Sequence, residues 1–320
     1  LEDRIIAGSL QVTRGTEIYE RHIGMADEGE SRPNHHQTSF MVASNGKQFT
    51  ATAILKLVER EKLQLETPVT ELIPELKTAL WTVDGEAATV HHLLTHSAGT
   101  PNAYDTEAIE ERLFRTELTA ADFITAIIDL PLQFKPGSDF AYSNTGYILL
   151  GEIIRRVAGV SYSDFLTLDL WPPLGMVFTS VGRPCCNREY ALPYLDVAEQ
   201  GKVNYLDHYD IRYRHDGEYF SDGNVYSSTR DMTKWIQNLV GGEVLDRGLT
   251  KKMFRDYGHG YGYGWGMAKL TGQRDYYYHT GGWIGYQSEI VYLPSEDVTI
   301  VWLVNYGEKG DLATRVLELF

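Results

Sequence analysis

Three short motifs in this chain carry the residue types of an acyl transfer. Ser44 stands three residues before Lys47 in Ser44-Asn45-Gly46-Lys47, Tyr142-Ser143-Asn144 lies near mid-chain, and His279-Thr280-Gly281-Gly282 closes the aromatic run Tyr276-Tyr277-Tyr278. A serine hydroxyl is a poor nucleophile until a neighbouring base takes its proton. Lysine can be that base when its surroundings depress its pKa, and on a helix the i, i+3 spacing places it on the same face as the serine. Tyr142 could relay a proton to or from Ser44 or to a leaving group, and Asn144 could donate to a substrate amide carbonyl. The glycine pair lets backbone approach a ligand closely, and one of its N–H groups could share an oxyanion hole with the N–H of Ser44. His279 could hold a substrate carboxylate when charged, or pass a proton.

Each motif also has a plain structural reading. Ser44 could be a helix N-cap beside an Asn-Gly turn, Asn144 another N-cap, and Tyr142 a half-buried aromatic. Gly281-Gly282 could be a turn with His279 on the surface. What the three do therefore depends on the elements that hold them.

Those elements read as strands at both ends and helices between. Alternation around the Thr13-Arg14-Gly15-Thr16 turn predicts an N-terminal hairpin, with Ile18, Glu20 and His22 on one face. From Phe49 to Leu63 the period becomes helical, with apolar residues outside the main stripe as well, so a largely buried helix is expected to follow Ser44. Ala120 to Leu130 and Thr145 to Val157 read as helices, the second ended by Gly159. Prolines and tyrosines between about 160 and 222 predict irregular connections. A short helix is expected over Met232 to Val240. Strands are expected over Gly285 to Leu293 and Val298 to Asn305, and a terminal helix over Asp311 to Phe320. This order predicts an α+β fold: an antiparallel β-sheet flanked by helices, completed by both termini, with a mostly helical domain inserted. The expected boundaries are 1–62 and 222–320 for the discontinuous sheet domain and 63–221 for the helical one. All three motifs fall where the two regions meet, a usual place for a site.

Composition narrows the chemistry. The 320 residues are 43% hydrophobic and 23% charged with a net charge of −15, which argues against nucleic acid as a partner. No apolar run reaches the ~20 residues of a membrane span, and no signal peptide is recognisable. The chain opens at Leu1, which reads as a cleaved or trimmed start. Cys185 and Cys186 are adjacent, a poor geometry for a disulfide and no metal spacing, and receive no role. His35-His36 and His91-His92 are consecutive pairs that would struggle to present two ligands to one ion, so no metal site is expected. No Gly-x-Ser-x-Gly elbow, phosphate loop or dinucleotide fingerprint occurs.

The segment from Phe40 to Ala51 resembles the active-site segment of the serine β-lactamase and DD-peptidase superfamily, in the branch that holds class C β-lactamases, DD-carboxypeptidases, D-aminopeptidases and related esterases. The resemblance continues through His92 to Gly99, Phe140 to Gly151, Ser227 to Met232, Tyr261 to Trp265 and His279 to Tyr286, in family order over nearly the whole chain. It implies that Ser44 is acylated, that Lys47 and Tyr142 share the general-base work, and that Tyr142 helps water remove the acyl group. It further implies that Asn144, His279 and Thr280 meet the substrate and that the backbone N–H groups of Ser44 and Gly282 form the oxyanion hole. No metal or organic cofactor is implied, and an extracytoplasmic address is. His279-Thr280-Gly281 stands where class C β-lactamases carry Lys-Thr-Gly, which is closer to peptidases of D-amino-acid substrates and argues against efficient β-lactam turnover. The expected activity is thus a penicillin-binding DD-carboxypeptidase or D-amino-acid peptidase. The enzyme alternative is a β-lactamase or small-ester hydrolase, and the alternative of another class is a non-catalytic binder of peptidoglycan-like ligands. Arg274, five residues before His279, is a further candidate for holding a substrate carboxylate.

Overall fold

Gly15 takes φ 56° in the two-residue connection of the N-terminal hairpin, the positive-φ position that a tight hairpin turn needs. The hairpin belongs to a computed structural model that describes residues 6–105, 119–182, 189–208, 220–270, 272–307, 310 and 312–320. Cys185 and Cys186 lie outside the described residues.

Six strands form the main sheet: β1 (Ala7–Arg14), β2 (Glu17–Ile23), β3 (Gly266–Lys269), β4 (Asp275–Trp283), β5 (Tyr286–Leu293) and β6 (Val298–Tyr306). Their order is β3-β4-β5-β6-β1-β2, with every neighbouring pair antiparallel. The expected closure by both termini is the β1–β6 pairing, which runs from Ala7 opposite Tyr306 to Arg14 opposite Val298.

All nine residues of β6 are buried, which explains its unbroken apolar run: it is central and covered on both faces. Val298, Ile300, Trp302 and Val304 meet Leu10, Val12, Ala313 and Leu317 on one face, beneath helix 312–317. Val301 and Leu303 join Ile290 and the larger core on the other. Fully burying one such aliphatic side chain is worth about 1.5–3 kcal/mol, so two covered faces fix this strand's place and register.

Three longer helices build the other layer: α1 (Lys47–Glu59), α2 (Asn144–Ala158) and α3 (Thr229–Gly241). Ten of the thirteen α1 residues are buried, as its all-round apolar pattern predicts. Phe49 of α1 meets the Trp235 ring of α3 at 4.6 Å between centroids, and α3 lies on β6 and β1. The α3 helix begins three residues before the apolar pattern does, because the Ser228 side chain caps it by accepting from the Asp231 N–H. Helix 120–127 starts where expected, in a capping box of Thr119 and Asp122, and ends three residues early. The stretch read as irregular contains a small hairpin, Tyr194–Val197 with Gly201–Asn204. The hydrophobic core is continuous from the sheet through α1 and α2, so the helical middle of the chain shares it rather than owning a separate one.

Candidate active site

Ser44 sits in a 3₁₀ turn, Ala43–Gly46, which joins the short strand Phe40–Met41 directly to α1. Ala43, immediately before it, adopts φ 47°, a left-handed conformation that costs a non-glycine residue of the order of 1–2 kcal/mol. The surroundings hold it there. Val42 N–H donates to the Val225 carbonyl, and strand Val225–Ser227 pairs with Phe40–Met41. Close approach on the other sides requires glycine. A methyl group at Gly223 would stand 2.8 Å from the Ala43 carbonyl carbon, and one at Gly46 would stand 3.2 Å from the Gly223 Cα. Gly46 therefore has a packing reason despite its low helix propensity.

Lys47, 0% exposed, extends beneath Ser44. Its Nζ lies 3.1 Å from Ser44 Oγ, 2.8 Å from Asn144 Oδ1 and 2.8 Å from the Asp222 carbonyl oxygen. Two of these partners can only accept. Ser44 alone can either accept from Lys47 or give it a proton, so a neutral Lys47 would keep its two N–H bonds to Asn144 and Asp222 and turn its lone pair to Ser44. The spacing read from the sequence thus becomes a nucleophile–base contact within hydrogen-bond reach.

Asn144 is not the cap of its helix. Ser143 caps α2 through Gly146 N–H at 3.3 Å, which leaves the Asn144 side chain for Lys47. Because Asn144 Oδ1 accepts from Lys47, its amide N–H groups remain for a ligand. Tyr142 is 40% exposed and presents its ring face, not its hydroxyl, to Lys47, with Nζ 5.0 Å from the centroid. His96 packs against the same ring at 4.3 Å between centroids, and its Nδ1 accepts from the Ser143 N–H at 3.1 Å. His96 thereby holds the Tyr142-Ser143-Asn144 segment in place. It is buried, and that burial, with Lys47 nearby, keeps its pKa well below the ordinary histidine value.

The third motif is strand, not turn. His279, Thr280, Gly281 and Gly282 all belong to β4 and pair in register with Ile290, Glu289, Ser288 and Gln287. Alternation sends His279 and Gly281 to the buried face and Thr280 and Gly282 to the exposed one. A methyl at Gly281 would collide with the Val42 carbonyl oxygen and with Ser288 Oγ, so this glycine lets β4 lie directly against the Ser44 turn. His279 is 6% exposed, not at the surface. Its Nδ1–H donates to the Thr280 carbonyl at 2.7 Å, and Nε2 accepts from the Tyr261 hydroxyl at 2.9 Å. Burial, then the Lys47 charge, bring its pKa down to about 3. Both ring nitrogens are thus engaged and burial favours the neutral ring, which counts against a charged His279 holding a carboxylate.

A cavity of about 210 Å³ opens over Ser44. Of the predicted residues, Ser44, Asn144 and Gly282 line it, Lys47 lies behind its wall, and Tyr142, His279 and Thr280 stand outside the lining. The rest of the wall includes Tyr104, Phe220, Asp222 and Trp283, which motif reading did not single out. Asp222 is 7% exposed, accepts from the Tyr104 hydroxyl at 2.9 Å, and has its pKa raised by burial against the opposing pull of Lys47. A single aspartate before a glycine carries no sequence signal of its own; only proximity to Lys47 marks it. Among the described residues the wall contains no arginine or lysine. Arg274 does not reach it, being held by the Phe320 carbonyl at 2.8 Å and by Glu296 at 3.5 Å.

Comparison with known proteins bears on the family and the fold. Residues 3–318 match the family model described as Beta-lactamase. Penicillin-binding protein 4* of Bacillus subtilis (strain 168) is 27% identical over 97% of this chain and 70% of its own length. Esterase EstB of Burkholderia gladioli is 30% identical over 61% of this chain, which spans about half, 52%, of that protein. Among solved structures, a penicillin-binding protein from Bacillus halodurans superposes with TM-score 0.85 at 26% identity, over 100% of this chain and 97% of that one. A D-amino acid amidase from Ochrobactrum anthropi SV3 superposes with TM-score 0.78 at 25% identity, over 94% and 87%.

Proposed function

The chain belongs to the Beta-lactamase family and is a serine hydrolase, and from that premise we propose that it hydrolyses D-amino-acid peptides or amides through an acyl-enzyme on Ser44. The observation that carries this reading is the 3.1 Å contact between Lys47 Nζ and Ser44 Oγ, made where the other two Lys47 partners are pure acceptors. Lys47 takes the Ser44 proton as Oγ attacks the acyl carbon. The tetrahedral oxyanion forms beside the Ser44 N–H, which the first turn of its 3₁₀ helix leaves without an intrahelical acceptor, and beside Gly282. Asn144 donates from its amide to the substrate, Thr280 offers its hydroxyl from the exposed face of β4, and the Tyr142 hydroxyl gives its own proton to the leaving group. Water entering on the exposed side where Tyr142 stands returns a proton to the Tyr142 oxygen as it attacks the acyl carbon, and Lys47 gives the Ser44 proton back to Oγ as the acyl group leaves.

The names of two relatives, penicillin-binding protein 4* and D-amino acid amidase, support this substrate class. A second reading, an ester or amide hydrolase of uncharged small molecules, is favoured by one observation. The cavity wall has Asp222 and, among the described residues, no cation to hold a substrate carboxylate.

Intact mass spectrometry after mixing with a penicillin, beside Ser44→Ala, tests the proposal. The expected result is a Ser44-dependent adduct, and its persistence would favour a penicillin-binding peptidase over a β-lactamase. Lys47→Ala should slow acylation by about three or more orders of magnitude, as loss of a base in a catalytic unit does. Turnover retained by Ser44→Ala would refute the nucleophile assignment. Hydrolysis of a small ester with no penicillin adduct would select the second reading.

A further inference from the structure

On the face of β2 predicted to carry Ile18, Glu20 and His22, the structure adds a third candidate ligand. His36, from the turn that follows the strand region, joins Glu20 and His22, so that one ligand atom from each lies within 4.8 Å of the others. Among the described residues this is the one such convergence of histidine, cysteine and carboxylate groups. We infer that Glu20, His22 and His36 form a zinc-binding site, remote from Ser44 and separate from the hydrolase chemistry.

Three features of the scaffold support it. Glu20 and His22 are i, i+2 on an edge strand, so both project to the same side. The His36 segment is tied to the end of that strand, because Asn34 N–H donates to the Gly24 carbonyl at 3.0 Å and its side-chain amide donates to the Ile23 carbonyl at 2.9 Å. His22 is oriented by its cross-strand partner, since Nδ1 lies 3.0 Å from the hydroxyl of buried Ser9. A donor hydrogen on Nδ1 leaves Nε2 as the ligand, the arrangement that outer-shell partners impose at zinc sites. That Nε2 stands 3.9 Å from Glu20 Oε2, too far for a hydrogen bond and close to the ~3.4 Å between ligand atoms on a tetrahedral zinc.

The neighbours leave these three groups available. His35, next to His36 in sequence, is committed to Glu189 at 2.7 Å and is not part of the set. Two histidines, one carboxylate and an open fourth position suit Zn²⁺ better than the oxygen-seeking Mg²⁺ or Ca²⁺. Bound there, the ion would fasten the edge of the sheet to the segment that leads to Phe40–Met41 and Ser44.

The test is calorimetric titration of the metal-stripped full chain with ZnCl₂, with MgCl₂ as the control. One zinc per chain, an affinity tighter than about 100 μM and a raised melting temperature are expected, with no response to magnesium. His22→Ala and His36→Ala should each weaken binding by at least about tenfold. His36 lies in a turn, so its variant remains informative even if His22→Ala folds poorly. Absence of saturable binding, or equal binding by both variants, overturns the site. Ser44 acylation does not enter this measurement, so the two proposals fail separately.

Discussion

Among the candidate site residues, burial acts on the charge of His279, lowering its pKa. Lys47 and Ser44 meet as their i, i+3 spacing requires. His279 could not be judged in that way, because a histidine after three tyrosines on a strand does not reveal which face it takes. Its burial makes a prediction about pH. The folded-state pKa is about 3, below the ordinary value of 6.5, so the unfolded chain binds a proton that the folded chain refuses. Stability is therefore full above about pH 6.5 and falls as pH drops toward 3, by up to about 1.4 kcal/mol per pH unit for this group. Buried His96 acts in the same direction. Denaturant midpoints measured from pH 7 to pH 4 should fall more steeply for the wild type than for His279→Asn. Parallel slopes would mean that His279 is protonated in the folded protein.

At the scale of the element, the site is an encounter between a strained 3₁₀ turn and a strand, and small residues set the distance. Gly281 is the sharpest case, because a methyl there would overlap backbone of the Ser44 turn and the Ser288 side chain. Gly281→Ala should move β4 away from Ser44, cost about 1–3 kcal/mol or more, and reduce acylation far beyond what that loss of stability explains. A variant with wild-type acylation rate and melting temperature would show that the turn and the strand are less tightly coupled than this geometry requires. Gly282, one residue on, has nothing within 4 Å of where a methyl would stand, so the same substitution there makes a sterically neutral control for folding. The glycine pair thus has two jobs that the dipeptide itself does not distinguish: one glycine allows contact, the other leaves space.

At the scale of the whole molecule, the sheet and the helical middle of the chain are knitted through one hydrophobic core that runs from Ile290, Val301 and Leu303 through Phe49 and Leu57 to Leu149 and Ile153. We propose that the division at 63 and 221 is one of topology more than of stability. Thermal unfolding followed by calorimetry should then give a single transition for both regions. Two resolved transitions would show that the inserted region is held by contacts of its own.

Sequence alone determined what each segment could become and which atoms could react. Periodicity marked the buried helix after Ser44, the hairpin at Gly15 and the all-apolar strand at Val298 to Asn305, because burial on one face or two writes itself into neighbouring residues. Residue type marked Ser44, Lys47, Tyr142 and Asn144, because few side chains can attack, accept a proton or present an amide. What tertiary structure decided were facts that depend on residues far apart in the chain. Asp222 and Tyr104 became cavity wall, and the His279 ring was buried near Lys47. None of these has a local signature, since dielectric surroundings and long-range contacts arise only when segments separated by a hundred or more residues are brought within a few ångströms, as Lys47 and Asp222 are at 2.8 Å across 175 positions.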